Sequence, residues 1–265
     1  MGLCSGQLAD AWRGVVANSG PDRGKASPRL RARGFSACLI VLLASLAQPA
    51  TADTVRIATW AGDFSTKGPG LLLRDLLRKP DDFAPALSLL VSARPDVVLL
   101  TDFDFDHDLA ALGALQAALA AAGLDLRYAF ARRPNTGMST GLDLDGDGRL
   151  GGPGDAQGFG YFAGQGGQAV LSRYPVSLRW DASEVLWRDL WDTAQTPDDP
   201  AIAVQRLSTS AHWMLDLETP AGSLALMTLA ATPPVFDGPE DRNGRRNRDE
   251  VLFWAHVLDN RHAVP

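Results

Sequence analysis

The sequence predicts an α/β domain in which two stacked β-sheets lie between outer helices. Apolar segments with the alternation of strands are interleaved with segments whose leucines and alanines repeat at helical spacing. The last two predicted strands are separated only by Pro220-Ala-Gly, which is a hairpin signal, so part of the sheet must be antiparallel. Some predicted strands alternate with helices, and others follow each other directly. This mixture favours two sheets with helices outside.

The predicted elements follow in order from residue 54. Strands are expected at 54–60, 95–104, 168–176, 203–219 and 222–231, and helices at 68–79, 81–94, 107–123 and 249–260. Asp82 is a candidate N-cap of the second helix, and Pro95 ends it. A glycine-rich loop spans roughly 134–167. No repeat or linker interrupts residues 53–265, which we interpret as one domain.

The first 52 residues have the features of an export leader. Three arginines between residues 29 and 33 precede an apolar run at 35–47, and Ala50 and Ala52 supply the spacing of a cleavage site. A run of about thirteen apolar residues is too short to span a bilayer. We therefore expect cleavage after Ala52, a protein exported to the periplasm or the medium, and no membrane span in the mature chain.

The charge of the chain argues against general binding of nucleic acid. The formal net charge is −6, and the predicted leader carries six basic and two acidic residues, so its removal leaves a charge of about −10. Such an acidic domain has no electrostatic attraction for a polyanion. We expect a monomer with no stable nucleic-acid partner, and a phosphate-bearing substrate would need local cations or a metal. Both cysteines, Cys4 and Cys38, lie in the leader, which predicts a mature domain without a disulfide.

An acidic segment, TDFDFDHD at 101–108, follows the second predicted strand. Strand alternation would place Asp102, Asp104 and Asp106 on one face, where three carboxylates repel one another unless a cation screens them. Asp102 and Asp104 are therefore candidate ligands of a hard cation such as Mg²⁺ or Ca²⁺. The alternative is a solvated acidic loop with only Asp102 near the sheet.

A second acidic segment, DLDGDG at 143–148, begins like a calcium-binding loop. Asp143, Asp145 and Asp147 match the first three ligand positions of such a loop, but Gly154 stands where its final glutamate belongs. The segment is therefore not an EF-hand. Two interpretations stay open: a surface loop held by Ca²⁺ or Mg²⁺ through these three aspartates, and an aspartate-rich turn without metal.

The third charged segment, at 232–254, mixes arginines with acids where a loop is predicted to lead into a helix. Arg242 and Arg245 are candidate substrate ligands, because guanidinium groups bind phosphate in a bidentate manner and a helix N-terminus favours anions. Arg206 and Asn247 complete the candidate substrate-binding set. The alternative is a web of internal salt bridges.

His212 is the candidate catalytic residue, although a lone histidine in a strand is more often part of the core. The sequence contains no G-x-S-x-G, no phosphate-binding P-loop, no zinc-spaced His/Cys cluster and no dinucleotide fingerprint, which excludes those classes.

Several segments match one family pattern. They are RIATW in the first strand, PDVVLLTD in the second, GQGGQAVLSRYPV in a later strand, the DLDGDG loop and TPPVFDGPEDRNGRRN. On these segments, residues 53–265 resemble the endonuclease/exonuclease/phosphatase superfamily with the DNase I-like fold, in a secreted bacterial branch. The resemblance implies a four-layer α/β sandwich, in which two stacked mixed β-sheets are flanked by helices. It also implies Mg²⁺-dependent hydrolysis of a phosphodiester or phosphomonoester, with a small phosphate ester or nucleic acid as substrate.

Carried over by position, the resemblance makes Asp102 the metal-binding acid. Ala61 stands where the family has an asparagine, and Ala230 where it has a histidine. The family's G-D-x-N segment would fall beyond residue 265, so we expect this form to be truncated at its C-terminus. Two functions therefore stay open: an exported metal-dependent phosphoesterase whose activity in this form is in question, and a non-catalytic exported protein that binds cations and anions.

Overall fold

The computed structural model describes residues 54–261, so the predicted leader lies outside the described residues. Its strands are β1 (Ile57–Phe64), β2 (Val97–Phe103), β3 (Tyr128–Phe130), β4 (Gly167–Ser172), β5 (Val176–Asp181), β6 (His212–Thr219) and β7 (Gly222–Leu229). Its helices are α1 (Leu71–Arg78), α2 (Pro80–Ala93), α3 (Ala110–Ala121) and α4 (Arg242–Leu258). Within this range, no helix combines the length and apolar character that crossing a membrane requires.

The seven strands form two sheets. The first has the order β1-β2-β4-β3, with β1 parallel to β2 and the other pairs antiparallel. The second has the order β5-β6-β7 and is antiparallel throughout its described strands. The predicted pair of sheets is thus confirmed, although only the first sheet is mixed.

The layers follow from the two-residue alternation of the strands. Val97 and Leu99 of β2 face the second sheet, where they pack in one cluster with Trp213 of β6. Leu100 faces the opposite way, into a cluster with α1, α2 and α3 that includes the fully buried Leu115. Burial of one such leucine contributes about 1.5–3 kcal/mol.

The fourth layer is α4, which packs on the outer face of the second sheet. Phe253 and Trp254 of this helix share a cluster with Met214 of β6. The order helices, sheet, sheet, helix is the four-layer sandwich that the family resemblance implies.

Two helix boundaries differ from the prediction. The second helix begins at Pro80, so its N-cap position is Lys79, and Asp82 lies inside the first turn and does not cap the helix. Helix α4 begins at Arg242 rather than Asp249, so the arginine segment is helical and not a loop. Its polar first turns carry no apolar periodicity that could reveal them.

Candidate functional site

A cavity of about 410 Å³ lies where several strand ends meet. Thr101 and Asp102 from the end of β2 form one side, together with Gly166 just before β4. Thr209 and Ser210, which precede β6, form another side. The segment after β7, residues 230–233, closes the wall. Both sheets therefore contribute to a single site.

Asp102 reaches this cavity through a β-bulge. Thr101 pairs with Ala61 and Phe103 pairs with Phe64, so Asp102 lies opposite the two residues Gly62 and Asp63. Asp102 has a φ of 62° and Asp63 a φ of 55°, a left-handed conformation that aspartate tolerates better than most residues do. Bulges re-aim side chains and are common beside active sites.

The bulge concentrates negative charge at the cavity. Burial raises the pKa of Asp102, the charges of Asp63 and Asp104 raise it further, and a hydrogen bond from Ser65 partly opposes them. Asp102 and Asp63 have no ion-pair partner among residues 54–261. The described residues that line the cavity include no lysine, arginine or histidine. This donor set fits a hard divalent cation, which prefers carboxylate oxygens and would restore the ionised form of Asp102.

Gly166 leaves room for the Asp102 carboxylate. Its φ is +55°, and a Cβ at this position would lie 2.9 Å from Asp102 Oδ1. A side chain would therefore be strained and would crowd the carboxylate. The glycine-rich sequence before β4 thus has a definite steric role at the site.

Asp104, the other candidate ligand in the same segment, is bound by the protein itself. It is 5% exposed. Its Oδ2 accepts hydrogen bonds from the amide (2.9 Å) and hydroxyl (2.5 Å) of Thr66, and its Oδ1 accepts one from the Gly166 amide (3.0 Å). Burial raises its pKa, although these bonds lower it. Metal binding by Asp104 stays a prediction, and it would compete with these bonds.

Asp106 bonds to the start of a helix and does not line the cavity. The prediction that Asp102, Asp104 and Asp106 lie on one face is therefore wrong. The Asp106 oxygens accept hydrogen bonds from the amides of Ala110 and Ala111, at the start of α3. The physical reason is that β2 ends at Phe103, so the alternation of a strand does not extend to Asp104 and Asp106.

Glu250 of α4 fixes the opposite wall of the cavity. Its side chain is fully buried, and its two oxygens accept hydrogen bonds from the amides of Thr209 (2.5 Å) and Thr232 (2.7 Å). Burial raises its pKa, while the charge of Arg246 and the two amides lower it. Ser210 in this wall is 3% exposed, and its hydroxyl has no hydrogen-bond partner within the described range. A buried polar atom of this kind is available to a polar ligand.

The candidate substrate ligands do not line the cavity and are paired inside the protein. Arg242 donates to Asp199 (3.0 Å) and Gln205 (2.7 Å). Arg206 donates to Asn135 (2.8 Å) and Glu184 (3.1 Å).

The remaining two candidates bond to backbone carbonyls. Arg245 donates to the carbonyl of Glu240. Asn247 donates to the carbonyl of Thr232 (2.7 Å) and thereby supports the cavity wall. For the arginines of this segment, the alternative of a web of internal bonds describes the structure.

His212 does not line the cavity either. It is fully buried, and its Nε2 lies 3.0 Å from the Glu250 carbonyl, which can only accept a hydrogen bond, so we assign the ring proton to Nε2. Its Nδ1 then accepts from the Ser208 hydroxyl at 2.6 Å. Burial lowers its pKa to about 4. The geometry therefore places His212 in the core, where it contacts Phe253 and Trp254.

The aspartate loop forms a separate acidic cluster outside the cavity. Asp143, Asp145 and Asp147 are exposed, and their carboxylates offer ligand atoms within 4.8 Å of one another. Asp155 holds the loop, because it accepts hydrogen bonds from the Leu144 amide (2.7 Å) and the Gly152 amide (3.1 Å). The Leu144 bond is the largest cause that lowers the Asp155 pKa. Both interpretations of this loop stay open.

Three residues of the site are absent from the sequence-based candidates. Asp63 is out of phase in a regular strand, and only the bulge brings it to Asp102. Ser210 carries no sequence signal. Glu250 lies four residues after Arg246, and this spacing could have indicated a buried pair on one helix face.

Comparison with protein-family models places the chain in a family. The model of the Endonuclease/Exonuclease/phosphatase family matches residues 60–264. The chain therefore belongs to that family. A search of curated proteins found no match.

A solved structure is also similar. It is the crystal structure of endonuclease/exonuclease/phosphatase from Beutenbergia cavernae DSM 12333, with 15% sequence identity and a TM-score of 0.45. The match covers 79% of the present chain and 44% of that chain, so the present chain spans less than half of that protein's length.

Proposed function

We propose that the protein is an exported, divalent-metal-dependent phosphoesterase that hydrolyses a phosphodiester or phosphomonoester. Membership of the Endonuclease/Exonuclease/phosphatase family supports a phosphoesterase-type hydrolase as the class. The cavity supports metal dependence, because Asp102 is the single charged residue among the described residues that line it. A phosphate group beside an ionised carboxylate is repelled, and a divalent cation between them would remove this repulsion.

Asp102 and Asp63 are the residues that would hold Mg²⁺. The bound ion would polarise a phosphoryl oxygen as a Lewis acid. Gly166 keeps the space beside Asp102 open. On the opposite wall, the Ser210 hydroxyl is free to donate a hydrogen bond to a phosphate oxygen, and Glu250 holds that wall in position.

The aspartate loop at 143–148 is proposed as a second, structural cation site for Ca²⁺. Its three carboxylates can approach one ion. Because the loop lies outside the cavity lining, its metal would stabilise the loop and would not take part in hydrolysis.

One observation favours a second function, a non-catalytic protein that binds a cation together with an anion. Ala230, which stands where the family resemblance places a histidine, lines the cavity. No imidazole from the described residues is there to protonate a leaving group. Such a protein would bind Mg²⁺ and phosphate without turnover.

Hydrolysis of bis-p-nitrophenyl phosphate separates these functions. We expect hydrolysis with Mg²⁺, its loss on chelation with EDTA, and a reduction of at least about 100-fold in Asp102→Ala. Asp108→Ala is the matched control, because this carboxylate is 88% exposed and does not line the cavity. Mg²⁺ binding without any hydrolysis would instead support the binding protein.

Export is tested independently of activity. We expect the N-terminus of the protein recovered from a periplasmic or medium fraction to begin after Ala52, as read by N-terminal sequencing. Recovery of the uncleaved chain from the cytoplasm alone would contradict export.

A further inference from the structure

Two exposed aromatic rings lie at the mouth of the cavity. Phe159 forms part of the cavity lining and is 65% exposed, and Tyr161 is 54% exposed. The two rings pack edge to face with their centroids 5.7 Å apart. Exposed aromatic side chains that touch each other beside a cleft are typical of a binding surface, because burying them in water-free contact with a ligand is favourable.

The backbone that presents these rings is tightly held. Gly158 and Gly160 alternate with the two aromatic residues and are buried against neighbouring backbone. A Cβ at Gly160 would lie 2.9 Å from the Gly137 amide nitrogen, and one at Gly158 would overlap the Thr209 carbonyl. The alternation therefore turns the glycines inward and the rings outward. A ligand would meet a preformed surface, which lowers the ordering cost of binding.

A cation stands at the edge of this surface. The Lys67 ammonium lies 5.9 Å from the Tyr161 ring centroid. Within residues 54–261, no carboxylate forms an ion pair with Lys67. The neighbouring Thr66 carbonyl accepts a bond from Gln165, whose side-chain oxygen accepts one from the Tyr161 amide (2.6 Å), so both sides of the surface are joined.

The charge of Lys67 selects among the ligands that bind aromatic rings. A quaternary ammonium headgroup would be repelled by the ammonium already over Tyr161. A flat, neutral ring avoids this repulsion and would stack on the aromatics, and an anionic group attached to it is compatible with the nearby positive charge of Lys67. A nucleobase joined to a phosphate has this chemistry, and base–aromatic stacking tolerates any base.

We propose that Phe159 and Tyr161 form a stacking subsite for the nucleobase of a small nucleotide ester whose phosphate enters the cavity beside Asp102. The inference rests on the proposed function and specifies its substrate class. The volume of about 410 Å³ suits one small-molecule group rather than a duplex. The acidic balance of the chain likewise removes the general attraction for long polyanions.

Titration calorimetry with three phosphate compounds in Mg²⁺ buffer tests the subsite. Adenosine 5′-monophosphate and ribose 5-phosphate differ only by the base, and phosphocholine carries a quaternary ammonium instead. We expect adenosine 5′-monophosphate to bind about tenfold more tightly than ribose 5-phosphate. Phosphocholine is expected to bind no more tightly than ribose 5-phosphate.

Single-residue variants then show whether the preference for adenosine 5′-monophosphate depends on Phe159. Phe159→Ala removes the preference for adenosine 5′-monophosphate, and Phe159→Leu, which keeps apolar volume but has no ring, removes most of it. Tyr128→Ala is the matched control, because Tyr128 is 40% exposed and does not line the cavity. Thermal melts check that each variant remains folded, as expected for exposed positions.

Equal affinity for the nucleotide and the sugar phosphate overturns the subsite, as does a preference that survives in Phe159→Ala. Tightest binding of phosphocholine overturns it as well. Hydrolysis of bis-p-nitrophenyl phosphate without a nucleotide preference overturns the subsite alone. A nucleotide preference without any hydrolysis retains the subsite and overturns the phosphoesterase.

Discussion

The acidic end of β2 and the arginine segment of α4 are both dense in charge, but they are opposite in their pairing. Each of the four arginines from Arg242 to Arg248 has a hydrogen-bond acceptor within the protein. Asp102 and Asp63 instead share a bulge and have no ion-pair partner in the described part of the chain. Burial raises the pKa of Asp102, and the charges of Asp63 and Asp104 raise it further. Unpaired charge at a cavity indicates a ligand, whereas paired charge indicates architecture.

This difference predicts that removing one charged group changes the stability of the protein in opposite directions in the two regions. In α4, a missing partner leaves a buried polar group without a hydrogen bond, which destabilises the fold. At the bulge, a missing carboxylate removes repulsion, which stabilises the protein when no metal is bound. Functional sites often carry such a stability cost.

The largest expected effect is that of Glu250→Ala. The change leaves the amides of Thr209 and Thr232 unpaired and the buried Arg246 without its nearby anion, so we expect the free energy of unfolding to fall by about 3–5 kcal/mol. Urea unfolding measures it. Glu218→Ala, at an exposed position of β6, should change stability by less than about 0.5 kcal/mol. Similar losses of stability in both variants would mean that Glu250 does not hold the cavity wall in place.

The next effect is the pH dependence that His212 confers. Its folded pKa of about 4 lies below the ordinary 6.5, so the neutral form is favoured in the fold. The stabilisation is therefore complete above about pH 6.5 and is lost as the pH falls toward 4, by about 3 kcal/mol in total. Unfolding free energies at pH 7.5 and 5.0 should differ less in His212→Gln than in the wild type. His107→Gln, whose side chain is 89% exposed, should keep the wild-type dependence.

A smaller effect is expected for alanine substitutions at two glycines, Gly166 and Gly113, which should change stability in opposite directions. Gly166→Ala should lower the free energy of unfolding by about 1–2 kcal/mol, because its φ of +55° is unfavourable for alanine and the new Cβ would crowd Asp102. Gly113→Ala lies in α3 with no atom within 4 Å of the added Cβ, and should instead raise stability by about 0.5–1 kcal/mol. Changes of the same sign at both positions would remove the steric role of Gly166.

The smallest expected effect is that of neutralising one aspartate in each region, and the direction of the stability change distinguishes the two regions. Without divalent metal, Asp102→Asn should raise the free energy of unfolding by up to about 1 kcal/mol, since solvent screens the repulsion at this partly exposed site. Asparagine also tolerates the left-handed backbone of this position. Asp249→Asn in α4 should do the reverse, because this carboxylate accepts bonds from Trp187 (2.7 Å) and Ala194 (2.6 Å). Destabilisation in both variants would contradict the difference in charge pairing between the bulge and α4.

The fold could be predicted from the sequence because apolar periodicity reports burial directly. The alternation in β2 and the leucines of α3 indicate their layers without any tertiary information. The start of α4 could not be predicted, since its first turns are polar and its arginines bond to a loop about forty residues away.

The site could be predicted only in part. Asp102 follows from its place at the end of a buried strand. Asp63 does not, because a bulge with positive φ breaks the alternation that the prediction uses. The pairing of Arg242 with Asp199 and the clamp formed by Glu250 are tertiary facts, and no local pattern distinguishes them from a free charge at a binding site.

Calorimetric titration of the protein with Mg²⁺ tests the central claim, that the unpaired carboxylates at the bulge bind the metal. We expect a Mg²⁺ binding event in the wild type that is weakened at least about tenfold in Asp102→Asn. The same event should persist in Asp143→Asn, which alters only the aspartate loop. Mg²⁺ binding that survives in Asp102→Asn but disappears in Asp143→Asn would contradict the account, as would a wild-type protein that binds no Mg²⁺.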